Sequence, residues 1–137
     1  MTPPNLSAEL AWVIAVDDQP VFRQAARRVV DATAGFAWAG EAASGEEAVK
    51  LVREKEPDIV IIDVRMPDMD GIEASRRVVA VCPGVMVLLV SAEDLASPGD
   101  LLRSRAAAFA RKHEFGPALL RLLMRRHSSS AVSGTQP

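Results

Sequence analysis

Ile59-Val60-Ile61-Ile62-Asp63 decides the fold of this chain: four branched aliphatic residues in unbroken succession, closed by a carboxylate. A strand with one wet face alternates apolar and polar residues, whereas a short continuous run reads as a strand buried on both faces of a parallel sheet. Working outward, the same pattern recurs. Trp12-Val13-Ile14-Ala15-Val16 ends on Asp17-Asp18, and Val85-Met86-Val87-Leu88-Leu89-Val90 ends on Ser91. A weaker run, Phe36 to Glu41, reads as an edge strand, and Ala107 to Arg111 as a short fifth strand that runs into Lys112.

Helical stretches separate these runs. Pro20 opens one to about Ala34, with Gly35 as its terminator. On it, Val21, Phe22, Ala25, Val29 and Val30 recur at helical spacing, while Arg23, Arg27 and Arg28 are expected to face water. Ser44 and Glu47 resemble a capping box for a helix through Lys55, and Pro83 stops another over Ile72–Val81. Ser97-Pro98 starts a short helix to Arg105, and Pro117 starts the last, carrying Leu119, Leu120, Leu122, Leu123 and Met124. Five βα units with right-handed crossovers give an α/β class domain, a doubly wound, (βα)5 flavodoxin-like parallel sheet of strand order 2-1-3-4-5. The expected organisation is a flexible arm over 1–9, one domain over 10–126, and a tail or linker stump over 127–137.

Composition agrees with one folded domain. The 137 residues are 49% apolar and 25% charged, enough for one core and too few for two. No apolar run approaches the length of a membrane span, and residues 1–9 have no signal-peptide pattern. Cys82 is a single cysteine, so no internal disulfide forms and a cytoplasmic setting is expected. Charge is unevenly spread. Residues 1–100 carry nine Lys/Arg against seventeen Asp/Glu, and residues 101–137 carry seven against one. No Gly-rich loop follows a strand, which disfavours nucleotide binding, and no helix-turn-helix segment is present for direct nucleic acid binding.

In a doubly wound sheet, residues just past the strand ends line one crevice. Here that crevice receives Asp17, Asp18, Asp63, Ser91 and Lys112. Crowded carboxylates raise one another's pKa unless a cation joins them, and Mg²⁺ prefers an oxygen ligand set of this kind. A carboxylate also serves as a nucleophile toward phosphorus, and Asp63, alone at the end of the central strand, is the best-placed candidate. Lys112 and the Ser91 hydroxyl supply a cation and a hydrogen-bond donor for phosphoryl oxygens.

Val16-Asp17-Asp18, the stretch Ile62 to Gly71, Val90-Ser91-Ala92 and Phe109-Ala110-Arg111-Lys112 together resemble the receiver domain of two-component response regulators, most closely those that precede a LuxR-type output. The resemblance spans about Trp12 to Arg126. It implies that Asp63 accepts a phosphoryl group from a sensor histidine kinase in a Mg²⁺-dependent phosphorelay. It further implies that Asp18, Asp63 and the Arg65 backbone carbonyl hold Mg²⁺, that Asp17 acts through water, that Ser91 and Phe109 form the switch pair, and that Lys112 senses the phosphate. The implied partners are the kinase and a downstream protein or fused transcription-regulating output domain, with homodimerisation open. The chain is then a phosphoacceptor rather than an enzyme.

Departures from the family pattern fall on the output side. Ser91 stands where threonine is commoner, Phe109 where tyrosine is frequent, Ala106 where glycine is expected, and residues 93–106 lack the usual acidic amphipathic helix. An alternative is a pseudo-receiver that binds partners without phosphorylation. An aspartyl-nucleophile phosphatase is disfavoured, since its general acid would stand where Arg65 is. Arg65 and Glu93, each two residues past Asp63 and Ser91, are expected at the mouth of the site, where they can pair.

Overall fold

The central strand, β3 (Ile59–Asp63), is buried along all five residues, as its unbroken apolar run requires. The computed structural model describes residues 10–95 and 97–135, with side chains to residue 126. β1 (Ala11–Val16) and β4 (Met86–Ser91) flank β3, and β2 (Phe36–Ala42) and β5 (Ala108–Arg111) form the edges, giving parallel order 2-1-3-4-5. The helices are α1 (Pro20–Asp31), α2 (Gly45–Lys55), α3 (Gly71–Val81), α4 (Pro98–Ser104) and α5 (Pro117–Thr135), with a 3₁₀ turn at Lys112–Glu114. The expected flavodoxin-like architecture is therefore present.

Each sheet face carries its own core. Ile14, Val16, Val60, Ile62 and Leu89 pack with Ala48 and Val52 of α2 and Ala74 and Val78 of α3. Val13, Ile59, Ile61, Leu88 and Val90 pack with Val30 of α1 and Leu120 and Leu123 of α5. Each such aliphatic side chain contributes roughly 1.5–3 kcal/mol relative to an exposed one, against below about 1 kcal/mol for an exposed ion pair. The core, not the surface charges, holds the fold.

Three local expectations need correction. α1 ends at Asp31, with Ala32 as its C-cap, rather than at Ala34. Thr33 ends it by turning its hydroxyl back to the Val29 carbonyl at 2.6 Å, and its own carbonyl takes the Phe36 N–H. Gly35, at φ +90°, serves the turn into β2 and not the helix end. Val21 and Ala25 are exposed, and the buried α1 positions are Ala26 and Val30. The expected arm over 1–9 lies outside the described residues. The tail expectation falls partly on α5, whose backbone runs to Thr135, and on side chains from 127 onward that lie outside the description.

The strand register aligns the chain's chemistry at one end of the sheet. Val16 pairs with Ile62, Asp63 with Val90, and Ser91 with Arg111. The next residues, Asp17-Asp18, Val64 and Lys112, therefore leave the sheet together. Gly71 closes the central crossover. Its N–H bonds the Val64 carbonyl at 2.8 Å, and a Cβ there would sit 2.1 Å from the Asp63 carbonyl oxygen. Only glycine lets α3 begin this close to β3. Asp70 caps that start by accepting the Glu73 N–H at 2.9 Å. Among the described residues, no helix is long and apolar enough to cross a membrane.

Candidate functional site

Asp17, Asp18 and Asp63 bring carboxylate oxygens within 4.8 Å of one another, the one cluster among the described residues able to hold a metal ion. Asp17 and Asp63 are buried and Asp18 is half-buried. β1 and β3 deliver them, since both strands stop in register and the β1–α1 turn carries Asp18 beside its neighbour. Asp17 Oδ1 accepts the Gln19 N–H at 2.8 Å, and Asp63 Oδ1 accepts the Arg65 N–H at 3.2 Å.

Lys112 lies across the cluster. Its ammonium stands 2.7 Å from Asp17 Oδ2 and 3.4 Å from Asp63 Oδ2. The Lys112 ammonium is thus the cation already paired with the buried Asp17 Oδ2. Three carboxylates exceed what one ammonium offsets, and two of them are buried, so the set fits a further hard cation, a divalent ion such as Mg²⁺.

The electrostatics agree. Burial pushes the Asp63 carboxyl above its ordinary value, and the negative Asp17 pushes it the same way; Lys112 and the Arg65 N–H oppose them. Burial alone would lower Lys112, but the paired carboxylates of Asp17 and Asp63 outweigh it and raise the ammonium. Phe22 supports the same ammonium from below, with its ring centroid 4.9 Å away, and Phe115 lies 6.0 Å from Phe22 in a tilted pair.

Residues 13–124 match the response regulator receiver domain family. The chain belongs to that family. This receiver is 37% identical over 101 residues to the response regulator GacA of Pseudomonas viridiflava, covering 73% of this chain and 47% of that protein. It superposes on the signal receiver domain of the putative response regulator NarL from Mycobacterium tuberculosis with TM-score 0.75 and 29% identity, covering 88% of this chain and 98% of that one. It is also similar to the receiver domain of the histidine kinase CKI1 from Arabidopsis thaliana, solved with Mg²⁺, at TM-score 0.72 and 25% identity, covering 86% and 93%. The chain spans about half or less of the length of the first curated relatives it matches. The receiver fold, the relation to LuxR-type regulators and the place in two-component signalling follow.

Of the anticipated residues, direct contacts bring together Asp17, Asp18, Asp63 and Lys112. Ser91 is buried at the end of β4, with its Oγ accepting the Glu93 N–H at 3.2 Å, and it borders a cleft of about 570 Å³ between the β3–α3 and β4–α4 loops. Phe109 is half-buried against the core on the α2–α3 side. Arg65 and Glu93 pair at the mouth, 3.4 Å apart, with both side chains about two-thirds exposed.

Arg23 was expected to face water and does not. Its side chain is only 15% exposed, Nη1 donates to the Asp17 carbonyl at 2.6 Å, and Nε donates to Glu41 Oε1 at 2.6 Å. Periodicity sorts residues by polarity and sends arginine outward by default; its place one turn beyond the acidic pair was the signal available. Arg111, whose place in the sequence signals no such role, ties the β4–α4 loop down by donating to the Ala92 carbonyl at 3.1 Å and to Asp94 at 3.0 Å.

Proposed function

We propose that this receiver takes a phosphoryl group from the phosphohistidine of a sensor kinase onto Asp63. The observation that supports this most is the placement of Asp63 between a carboxylate pair and an ammonium, at the end of the central strand. An Asp63 carboxylate oxygen attacks phosphorus, the P–N bond breaks with its electron pair left on the ring nitrogen, and the histidine, carrying a proton on its other ring nitrogen, leaves as neutral imidazole, giving an aspartyl phosphate. Asp18, Asp63 and the Arg65 backbone carbonyl would hold Mg²⁺, with Asp17 contributing through water. When bound, that ion supplies charge neutralisation for the phosphoryl oxygens. Lys112 is already 3.4 Å from Asp63 and needs only to exchange its carboxylate contact for a phosphoryl oxygen.

Ser91 then gives up the Glu93 N–H and turns its hydroxyl donor toward the phosphoryl group. Phe109 follows into the space behind it, and the α4–β5–α5 side changes shape. The downstream reader is a partner protein or an output domain fused in the whole protein, of a transcription-regulating kind. An intact acidic cluster argues against a pseudo-receiver. Arg65 at the general-acid position argues against a phosphatase.

Exposure to acetyl phosphate with Mg²⁺, followed by intact mass, tests the reading. A single adduct of one phosphoryl group is expected on the wild type and none on Asp63→Asn. An adduct that persists on Asp63→Asn would move the acceptor elsewhere, and absence of any adduct on the wild type would favour the pseudo-receiver.

A further inference from the structure

We infer that Arg23 is a positioning residue for the cation site, holding the β1–α1 loop in the conformation in which Asp17 and Asp18 bind a divalent ion. This rests on the metal reading above. The loop follows directly on β1, and its first residue is fixed on both peptide groups. The Asp17 N–H donates to the Ala42 carbonyl of β2 at 3.1 Å, and the Asp17 carbonyl accepts from Arg23 Nη1 at 2.6 Å. Arg23 is itself fixed to β2, through Nε to Glu41, which lies opposite Ala15 in the sheet. One guanidinium thus bridges the loop, α1 and the edge strand. A planar fork of donors can serve both acceptors at once, which a lysine ammonium on a flexible stem does less well.

The loop needs such a restraint. Three carboxylates within 4.8 Å repel one another, and the loop that carries two of them is the part free to move apart. A loop held in place keeps the ligands gathered before the ion arrives, so less of the binding free energy goes into ordering.

Two effects of Arg23 on cation binding have opposite signs. Its positive charge repels an incoming cation, whereas its hydrogen bonds assemble the site. Glu41 at 2.6 Å neutralises most of that charge as felt at a distance, so positioning wins. Removing Arg23 therefore weakens Mg²⁺ binding, opposite to what charge alone dictates.

The test titrates Mg²⁺ into the wild type, Arg23→Gln and Arg23→Lys, read by calorimetry and by the rise in melting temperature. For Arg23→Gln, the half-saturating Mg²⁺ concentration is expected to rise about 3- to 10-fold, below the usual cost of losing a direct partner of a metal ligand. Arg23→Lys keeps the charge and loses the fork, and a smaller rise in the same direction is expected. A half-saturation point for Arg23→Gln within twofold of wild type, or tighter, overturns the inference. So does a melting temperature lowered equally with and without Mg²⁺ at unchanged half-saturation, which marks a purely structural role. If Arg23→Gln does not fold, Arg23→Lys decides, and no rise there overturns the inference. A wild type that ignores Mg²⁺ removes the metal reading and this inference together, whereas a responsive wild type with an equally responsive variant removes this one alone.

Discussion

The two ends of the crevice are built differently. Around Asp17, Asp63 and Lys112, the groups sit on strand ends, the carboxylates are buried, and both peptide groups of Asp17 are bonded. Around the β4–α4 loop, the ion pairs lie at or near the surface, Arg65 with Glu93, Arg111 with Asp94 and Arg103 with Asp100, and the loop is tied by single hydrogen bonds from Arg111 to the Ala92 carbonyl and from the Glu93 N–H to Ser91. α4 spans only seven residues, and its Leu102 is 81% exposed. An exposed pair such as Arg65–Glu93 stabilises by below about 1 kcal/mol, so the second region would rearrange at smaller cost than the first. A receiver needs both properties, a rigid place to do chemistry and a loose place to report it.

The strongest way to break this contrast is to disturb the rigid side. Gly71→Ala forces a Cβ to within 2.1 Å of the Asp63 carbonyl, with the Val64 Cα also at 2.7 Å, so backbone has to move. A loss of about 3 kcal/mol is expected in chemical denaturation, together with slower phosphoryl acceptance. Native-like stability would show that the strand end yields more readily than the packing implies.

Asp63→Asn sharpens the contrast through pH. Because the folded state raises the Asp63 pKa, it binds the proton more tightly than the unfolded chain. Stability due to this group is therefore highest below the ordinary aspartate value and falls as pH rises through the raised one. Lys112 adds nothing in that window, since its raised pKa keeps its contribution until the pH passes above the usual lysine range. Without Mg²⁺ at pH 7, Asp63→Asn should melt above the wild type, and the gap should close toward pH 4. Saturating Mg²⁺ should stabilise the wild type by on the order of 1–3 kcal/mol and reduce the same gap. An apo wild type as stable as Asp63→Asn at neutral pH would mean that the cluster carries no strain.

The smallest effect on stability belongs to the loose side. Arg65 and Glu93 pair at the entrance, a position from which they would hinder the water that hydrolyses an aspartyl phosphate. Arg65→Ala is expected to change the dephosphorylation rate several-fold while leaving the melting temperature nearly unchanged. A cycle with Glu93→Ala checks the pairing, and strictly additive effects would show that the two side chains act separately.

Much of this was legible in the sequence because buried parallel strands write themselves as continuous aliphatic runs. Ile59–Ile62 located the sheet centre, and the polar residue after each run located the crevice. The Arg65–Glu93 pair was legible too, from equal offsets past two aligned strand ends. What escaped was polar structure that folds back on the chain. Thr33 ended α1 through its own hydroxyl, and Arg23 turned inward to a backbone carbonyl. Neither alters the apolar pattern, so periodicity has no access to them. The Ser91 hydroxyl shows the same limit, since its acceptor role toward Glu93 depends on a loop conformation that spacing does not encode.

Lys112 rides at the end of β5, a four-residue edge strand hydrogen-bonded on one side only. Edge strands unzip before central ones, so amide exchange should be protected most in β3 and least in β5. An opening of β5 would carry the ammonium away from the site while Asp17 and Asp63 stay seated on the inner strands. The acidic cluster would then stand as a bare anionic pocket within a molecule that is otherwise folded.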